Sequence, residues 1–263
     1  NPRNNTIEKL DITDNKEVLR LIEQHKPDYI FHLAAETNVD LCEKNPDHAY
    51  EVNTFGTENI VLAAQQFDIP LVYVSTVGVF YGDKREPYTE FDLPKPKNVY
   101  GDSKLQGELI VQRLLSKYFI VRAGWMVGGW EIDKKFVYKI VQQVKEGKSE
   151  ILAVNDKWGS PTFTRDFASN LWPLVQTQRW GLYHMTNLGM GSRYDMACKV
   201  VEFMGAVGKI KVTPVNSAFF PLPAARADSE TVRNYKLDLL GLNKMPHWEA
   251  SLRKYITENS NKV

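Results

Sequence analysis

Apolar and polar positions fall along this chain in blocks whose periods switch between those of strands and those of helices. Tyr29-Ile30-Phe31-His32-Leu33 and Ile69-Pro70-Leu71-Val72-Tyr73-Val74-Ser75 are apolar runs of strand length, the pattern of strands covered on both faces in a parallel sheet. Tyr118 to Arg122 is a third. Helical patterns separate them. Asn15 to Gln24 is capped by Asp14, with Glu17 three residues on in a capping-box-like start; His48 to Gln66 is a longer helix, and another follows Tyr100. A loop, Ala34-Ala35-Glu36-Thr37, follows the first of these strands. Strand, helix, strand, helix, strand at this spacing predicts βαβ units with right-handed crossovers, hence an α/β fold with a doubly wound parallel sheet.

After about Trp125 the rhythm loosens. Phe136 to Lys145 reads as a helix, Ile151 to Val154 as a short strand, Arg165 to Val175 as a helix and Gly181 to Met185 as a strand. A proline-bearing stretch, Pro214 to Pro223, separates these from the last helices. The pattern divides the chain into a sheet-forming part, residues 1–125, and a smaller C-terminal lobe, residues 126–263, into which some sheet elements return. A short apolar stretch, Ile7 to Leu10, precedes the first helix, and Asn259 to Lys262 reads as a frayed end.

Composition narrows the function classes. Of 263 residues, 33 are basic and 32 acidic, a formal net charge of +1, so no global field attracts nucleic acid or an anionic membrane. No apolar run reaches the ~18 residues that span a bilayer and no signal peptide is visible, which predicts a cytoplasmic protein with no membrane partner. Cys42 and Cys198 are too few for a disulfide framework and read as buried small hydrophobes. His25, His32, His48, His184 and His247 form no pair at ligand spacing, and Glu36 with Asp40 reads as solvated loop charge, so no metal site is expected.

The chemistry points to Asn98-Val99-Tyr100-Gly101-Asp102-Ser103-Lys104. Residues four apart share a helix face, so a phenol and an ammonium can enter one pocket beside Ser75-Thr76, where the second apolar strand ends. Functional groups of open α/β sheets gather just beyond such carboxyl ends. An adjacent cation lowers a tyrosine pKa by about 1–3 units, so Lys104 is expected to bring Tyr100 toward neutral pH. That trio can move a proton in a carbonyl/alcohol interconversion.

With these residues in place the chain resembles the extended short-chain dehydrogenase/reductases, and within them the dTDP-4-dehydrorhamnose reductases. The resemblance runs in order through His32-Leu33-Ala34-Ala35-Glu36-Thr37-Asn38-Val39-Asp40-Leu41-Cys42-Glu43, Val52-Asn53, Gly56-Thr57-Glu58-Asn59, Ser75-Thr76 through Gly82, and Tyr100-Gly101 through Gly107-Glu108. It continues in Arg122-Ala123-Gly124-Trp125, Trp158 to Thr164, Gly181 to His184 and Pro223-Ala224-Ala225-Arg226. It implies a Rossmann-like dinucleotide-binding part with a substrate lobe, NADPH or NADH as cofactor, and reduction of the C4 ketone of a nucleotide-activated 6-deoxy-4-keto sugar. Asp11 and Ile12 would lie against the adenine, and Ala34, Ala35 and Thr37 would line the ribose and diphosphate. Lys104 would hydrogen-bond the nicotinamide ribose, Tyr100 would protonate the C4 oxygen and Thr76 would hold it. Val39, Val77 and Trp125 would touch the deoxysugar, and Arg226 would pair with the substrate diphosphate. The partner is the nucleotide sugar, and the resemblance admits a homodimer.

Two departures stand out. The glycine-rich phosphate loop expected after a first strand is missing, which predicts a preceding segment of about 30 residues, the size of a βαβ start. Val77 and Gly78 stand where those reductases carry aspartate and tyrosine. A dehydratase would need an acid pair after Thr76, which Val77-Gly78 does not offer. Two alternatives stay open: an epimerase, which uses the same tyrosine and lysine with retained NAD, and a non-catalytic scaffold like the regulatory β subunit of methionine adenosyltransferase.

Overall fold

The structure, a computed structural model, describes residues 8–130, 132 and 135–259. Ile7 of the first apolar stretch and Ser260 to Lys262 of the expected frayed end lie outside them. Helix α1 (Asn15–His25) leads to strand β1 (Ile30–His32); α2 (Val39–Lys44), α3 (Pro46–Tyr50) and α4 (Gly56–Gln66) precede β2 (Leu71–Thr76), α5 (Val99–Leu114) and β3 (Tyr118–Ala123). The C-terminal half holds β4 (Met126–Val127), α6 (Phe136–Lys145), β5 (Glu150–Val154), β6 (Trp158–Gly159), β7 (Thr162–Phe163), α7 (Thr164–Gln176) and β8 (Gly181–His184). It ends with β9 (Gly191–Ser192), α8 (Arg193–Phe203), β10 (Lys211–Val215), β11 (Ser229–Glu230), α9 (Tyr235–Leu239) and α10 (Trp248–Asn259).

Strands β1, β2, β3 and β8 pair in that order, all parallel, with Tyr73 of β2 opposite His32 and Ile120. Both faces are covered, as the unbroken apolar runs require. Val18 and Ile22 of α1, Ile60, Val61 and Ala64 of α4 and Val111 of α5 pack on one side against Leu71, Tyr73 and Ile120. Phe167, Leu171 and Leu174 of α7 and Leu237 of α9 pack on the other against Val72, Phe119 and Val121. A separate core joins α6, α8 and α10 around the parallel pair β5 and β10. Among the described residues β1 is an edge strand, with Phe31 and Leu33 exposed, and the expected opening βαβ portion has no counterpart. No helix of the described residues is long and apolar enough to cross a membrane.

The expected helix over His48 to Gln66 is divided: Glu51–Phe55 forms a π-helical turn between α3 and α4. The wider turn points Asn53 and Thr54 inward, where both are buried and hydrogen-bonded to α5. Asp14 caps α1 through bonds accepted from the Lys16 and Glu17 amides, 3.0 and 3.1 Å. Helix α2 went unforeseen: six residues are too few to show a period, although its cap, Asn38, accepts the Leu41 amide at 3.1 Å.

Candidate active site

Thr76 ends β2, and its hydroxyl accepts the Gly78 amide at 3.0 Å, starting a tight turn over Val77–Val79. The first turn of α5 is pressed onto that turn, because a β-carbon on Gly101 would collide with the Gly78 carbonyl oxygen. Asn98 caps α5 by accepting the Gly101 amide at 2.9 Å, and the Glu43 carboxylate accepts the Val99 amide at 3.1 Å. Tyr100 is thereby carried toward Thr76, whose hydroxyl bears on the phenol. Lys104 follows one turn later, buried, with Nζ 4.1 Å from the centre of the Tyr73 ring.

A second layer fixes these groups. The Asn53 side chain accepts the Glu36 amide at 2.8 Å and donates to the Glu36 carbonyl at 3.1 Å and the Ser103 hydroxyl at 3.0 Å. Ser103 donates to the Tyr100 carbonyl at 2.9 Å. One buried amide therefore ties the loop after β1 to the helix carrying Tyr100 and Lys104. Sequence inspection placed Asn53 in a motif without a role; its only local signal is a polar residue in an otherwise apolar helix face.

The electrostatics overturn one expectation. Tyr100 is not lowered by Lys104. Burial pushes its pKa up to about 12, opposed by the Thr76 hydroxyl and assisted by the Glu230 carboxylate and the Cys42 thiol. Burial pushes Lys104 down to about 7, with Glu108 acting the other way. A crowded pocket disfavours both charged forms, and this outweighs the attraction expected of a helix pair. Near neutral pH the phenol is protonated and can donate. Tyr100 keeps partial solvent access, while Lys104 is buried.

The other expected residues divide. Ala34 and Thr37 are exposed and Ala35 half-buried in the loop at the carboxyl end of β1, so these alanines do not serve helix–sheet packing. Asp11 is exposed, its carboxylate accepting the Thr13 amide and hydroxyl. Ile12 is turned into the core against Gly56, so its side chain is no surface for an adenine. Val39 opens α2 half-buried, and Val77 is buried with Val79, Phe80 and Tyr88. Trp125, in a left-handed backbone conformation with φ 32°, rests against Gly159; its Nε1 donates to the Glu230 carboxylate at 2.6 Å, and the Arg193 guanidinium stacks 3.8 Å from its ring centre. Arg226 is committed to the Asp40 carboxylate at 3.0 Å. Asp40 is thus no solvated loop charge: it also accepts the Ala224 amide at 3.1 Å. Glu230 and Arg193 were not singled out from sequence, since each reaches the cleft from an element far along the chain.

Both cysteines are free thiols, Cys42 buried and Cys198 half-buried. Among the described residues no group of three or more His, Cys, Asp or Glu side chains is placed to hold a metal ion.

Tyr100 and Lys104 thus follow Thr76, at the carboxyl end of β2, on the first turns of α5. Residues 3–261 match the RmlD substrate binding domain. The chain belongs to that family. It is 33% identical over 261 residues to the dTDP-4-dehydrorhamnose reductase of Mycobacterium tuberculosis, covering 97% of this chain and 84% of that protein. The crystal structure of dTDP-4-dehydrorhamnose reductase from Bacillus anthracis in complex with NADP superposes with a TM-score of 0.90 at 38% identity, over 95% of this chain and 87% of that one. The Clostridium acetobutylicum dTDP-4-dehydrorhamnose reductase gives the same TM-score at 35% identity, over 95% and 88%.

Proposed function

We propose that this protein is an NAD(P)H-dependent reductase that converts the C4 ketone of a nucleotide-activated 6-deoxy-4-keto sugar, dTDP-4-dehydrorhamnose, to the alcohol of dTDP-L-rhamnose. What supports this is Thr76 at the end of β2 with Tyr100 and, one turn on, Lys104 in the first turns of α5, in a chain of this family. Tyr100, protonated at neutral pH, donates its hydroxyl proton to the C4 oxygen as the carbonyl carbon is reduced. Thr76 holds that oxygen and favours the phenolate left behind. A positioned acid of this kind contributes typically 10²–10⁴-fold.

The described residues fit the nicotinamide half of a dinucleotide, which when bound supplies the hydride. The small Ala34 and Ala35 sit exposed or half-buried and leave the loop backbone approachable, Thr37 offers a hydroxyl beside them, and Lys104, over the Tyr73 ring, forms no ion pair with a carboxylate among the described residues. Asp11, at a turn before α1, completes the set toward the adenine, with Ile12 contributing backbone only. Val39 and Trp125 bound the sugar site, Val77, its side chain buried, contributes backbone only, and Arg226 approaches the diphosphate. Residues 1–125 constitute the dinucleotide-binding domain and 126–263 mainly the substrate lobe, with α7 and β8 returning to the sheet. A cytoplasmic location and a homodimer complete the proposal; sedimentation velocity tests the dimer.

The deciding experiment is oxidation of NADPH, and separately NADH, with dTDP-4-dehydrorhamnose, the product identified by mass and retention. Turnover to a sugar two hydrogens heavier is expected. Dinucleotide binding without turnover would replace this reading by the scaffold, and interconversion of sugars without net NADPH loss would replace it by the epimerase.

A further inference from the structure

Glu230 is half-buried beside Trp125, with one oxygen engaged and one free. Its Oε2 accepts the Trp125 indole N–H at 2.6 Å, and Oε1 has no hydrogen-bond partner among the described residues. A β-carbon on Gly78 would lie 3.2 Å from the Thr76 hydroxyl oxygen and 3.6 Å from Glu230 Oε1, so both oxygens flank one small space that any side chain at position 78 would fill. Glu230 also bears electrostatically on Tyr100 and on Arg193, so its charge is felt both by the proton donor and by the guanidinium stacked on Trp125.

We propose that this notch over Gly78, between Thr76 and Glu230, receives the C3 hydroxyl of the sugar, and that Glu230 sets the orientation of the sugar by accepting that hydroxyl's hydrogen bond through Oε1. The inference rests on the reductase reading of the same site. With the C4 oxygen at Thr76 and Tyr100, whatever enters the notch is attached one bond from the reacting carbon. In a 6-deoxy-4-keto sugar the neighbouring C3 carries a hydroxyl, while C5 carries the ring oxygen and the methyl. A carboxylate only accepts, so it selects a hydroxyl over a methyl or a carbonyl. A ligand without that hydroxyl leaves a partly desolvated carboxylate oxygen unmatched, which is how sites built around a substrate hydroxyl reject the deoxy analogue. Trp125 makes the choice sharper, because its N–H pins Oε2 and leaves Oε1 facing the notch.

Calorimetric binding of dTDP-L-rhamnose and its 3-deoxy counterpart tests this on the full chain. The wild type should prefer the hydroxylated sugar by about 10- to 100-fold, the worth of one hydrogen bond to a charged acceptor. In Glu230→Gln the amide oxygen is held by the Trp125 N–H, so an NH₂ donor faces the notch and the preference should fall to within a few-fold. Gly78→Ala leaves Glu230 untouched, fills the notch with a methyl and should abolish the preference as well. Equal binding of both sugars by the wild type, or an unchanged preference in both variants, overturns the assignment. NADPH turnover, read separately, distinguishes the two layers: a wild type that shows the preference but reduces nothing overturns the reductase and keeps the notch, while turnover without the preference does the reverse. A wild type that binds neither sugar overturns both.

Discussion

Glu108 and Arg122 meet across the interface between α5 and β3 in a doubly hydrogen-bonded, fully buried ion pair, Nε to Oε1 at 2.9 Å and Nη2 to Oε2 at 2.6 Å. Ser75 donates to the same carboxylate at 2.5 Å, so β2, β3 and the helix bearing Tyr100 and Lys104 share one carboxylate. The Arg122 Nη1 has no partner among the described residues even with the pair intact. Glu108→Ala should therefore cost about 3–5 kcal/mol, because it strands a buried guanidinium, whereas Glu108→Leu with Arg122→Met should recover most of that loss. Urea denaturation measures both. A single-variant loss under about 1 kcal/mol would mean that water already enters this interface.

Tyr100→Phe deletes one hydroxyl and leaves the ring packing. Expected is a kcat lower by about 10²–10⁴-fold with dinucleotide affinity unchanged. Because burial keeps the phenol protonated up to about pH 12, no deprotonation of Tyr100 should appear as a limb of the profile near neutrality. Retention of wild-type kcat within a few-fold would remove Tyr100 from the proton-transfer role.

Lys104 gives a pH signature in stability. Its folded pKa is about 7 against an ordinary 10.5, so between those values the unfolded chain holds a proton that the folded chain has released. Stability should rise with pH across this window, by at most about 1.4 kcal/mol per unit, and the burial cost should be complete below about pH 7. Lys104→Met should flatten the rise. It should also weaken dinucleotide binding most below pH 7, where the wild-type ammonium is fully formed. Thermal melts of wild type and variant that run parallel from pH 7 to about pH 10 would contradict the depressed lysine.

Two buried histidines act on the acid side. Burial, joined by the Lys104 charge at His32 and the Arg122 charge at His184, lowers both to about 3. His32 Nε2 lies 2.9 Å from the Thr57 hydroxyl and His184 Nδ1 3.2 Å from the Arg233 carbonyl, so each ring is held neutral in the core. The unfolded chain takes up these protons near pH 6.5 and the folded one near 3, so stability should fall progressively as pH drops through that interval. His184→Gln should cost stability at neutral pH yet reduce the acid sensitivity. Acid titrations of equal steepness in variant and wild type would place the sensitivity elsewhere.

Much of this was legible along the chain, for identifiable reasons. Buried parallel strands leave unbroken apolar runs, so Leu71–Thr76 and Tyr118–Ala123 announced themselves, and a cap at Asn98 followed by Tyr100 and Lys104 needs only helical spacing to be read. The π turn at Glu51–Phe55 could not be read, because the polar pull of Asn53 and Thr54 toward α5 is a tertiary effect. Nor could Glu230, which arrives on a two-residue strand paired with Trp158–Gly159, too short to carry a period. The charge balance at Tyr100 went the wrong way for a related cause: sequence spacing shows who is near, while burial, invisible at that level, sets the sign.

Arg226 offers a last test, since its present partner is Asp40. Its Nη2 lies 3.0 Å from that carboxylate and its Nη1 donates to the Ala224 carbonyl at 2.8 Å, which clasps the stretch after the prolines against the start of α2. A half-exposed ion pair of this kind is worth at most about 1 kcal/mol, so a diphosphate with two oxygens to offer can take the guanidinium from it. Arg226→Ala should raise KM for the nucleotide sugar several-fold and leave dinucleotide affinity alone. Asp40→Asn keeps an oxygen for the Ala224 amide but drops the competing charge, and should hold KM at or below the wild-type value. A KM that rises equally in both variants would make the pair a clasp for the chain, with the diphosphate held by other groups.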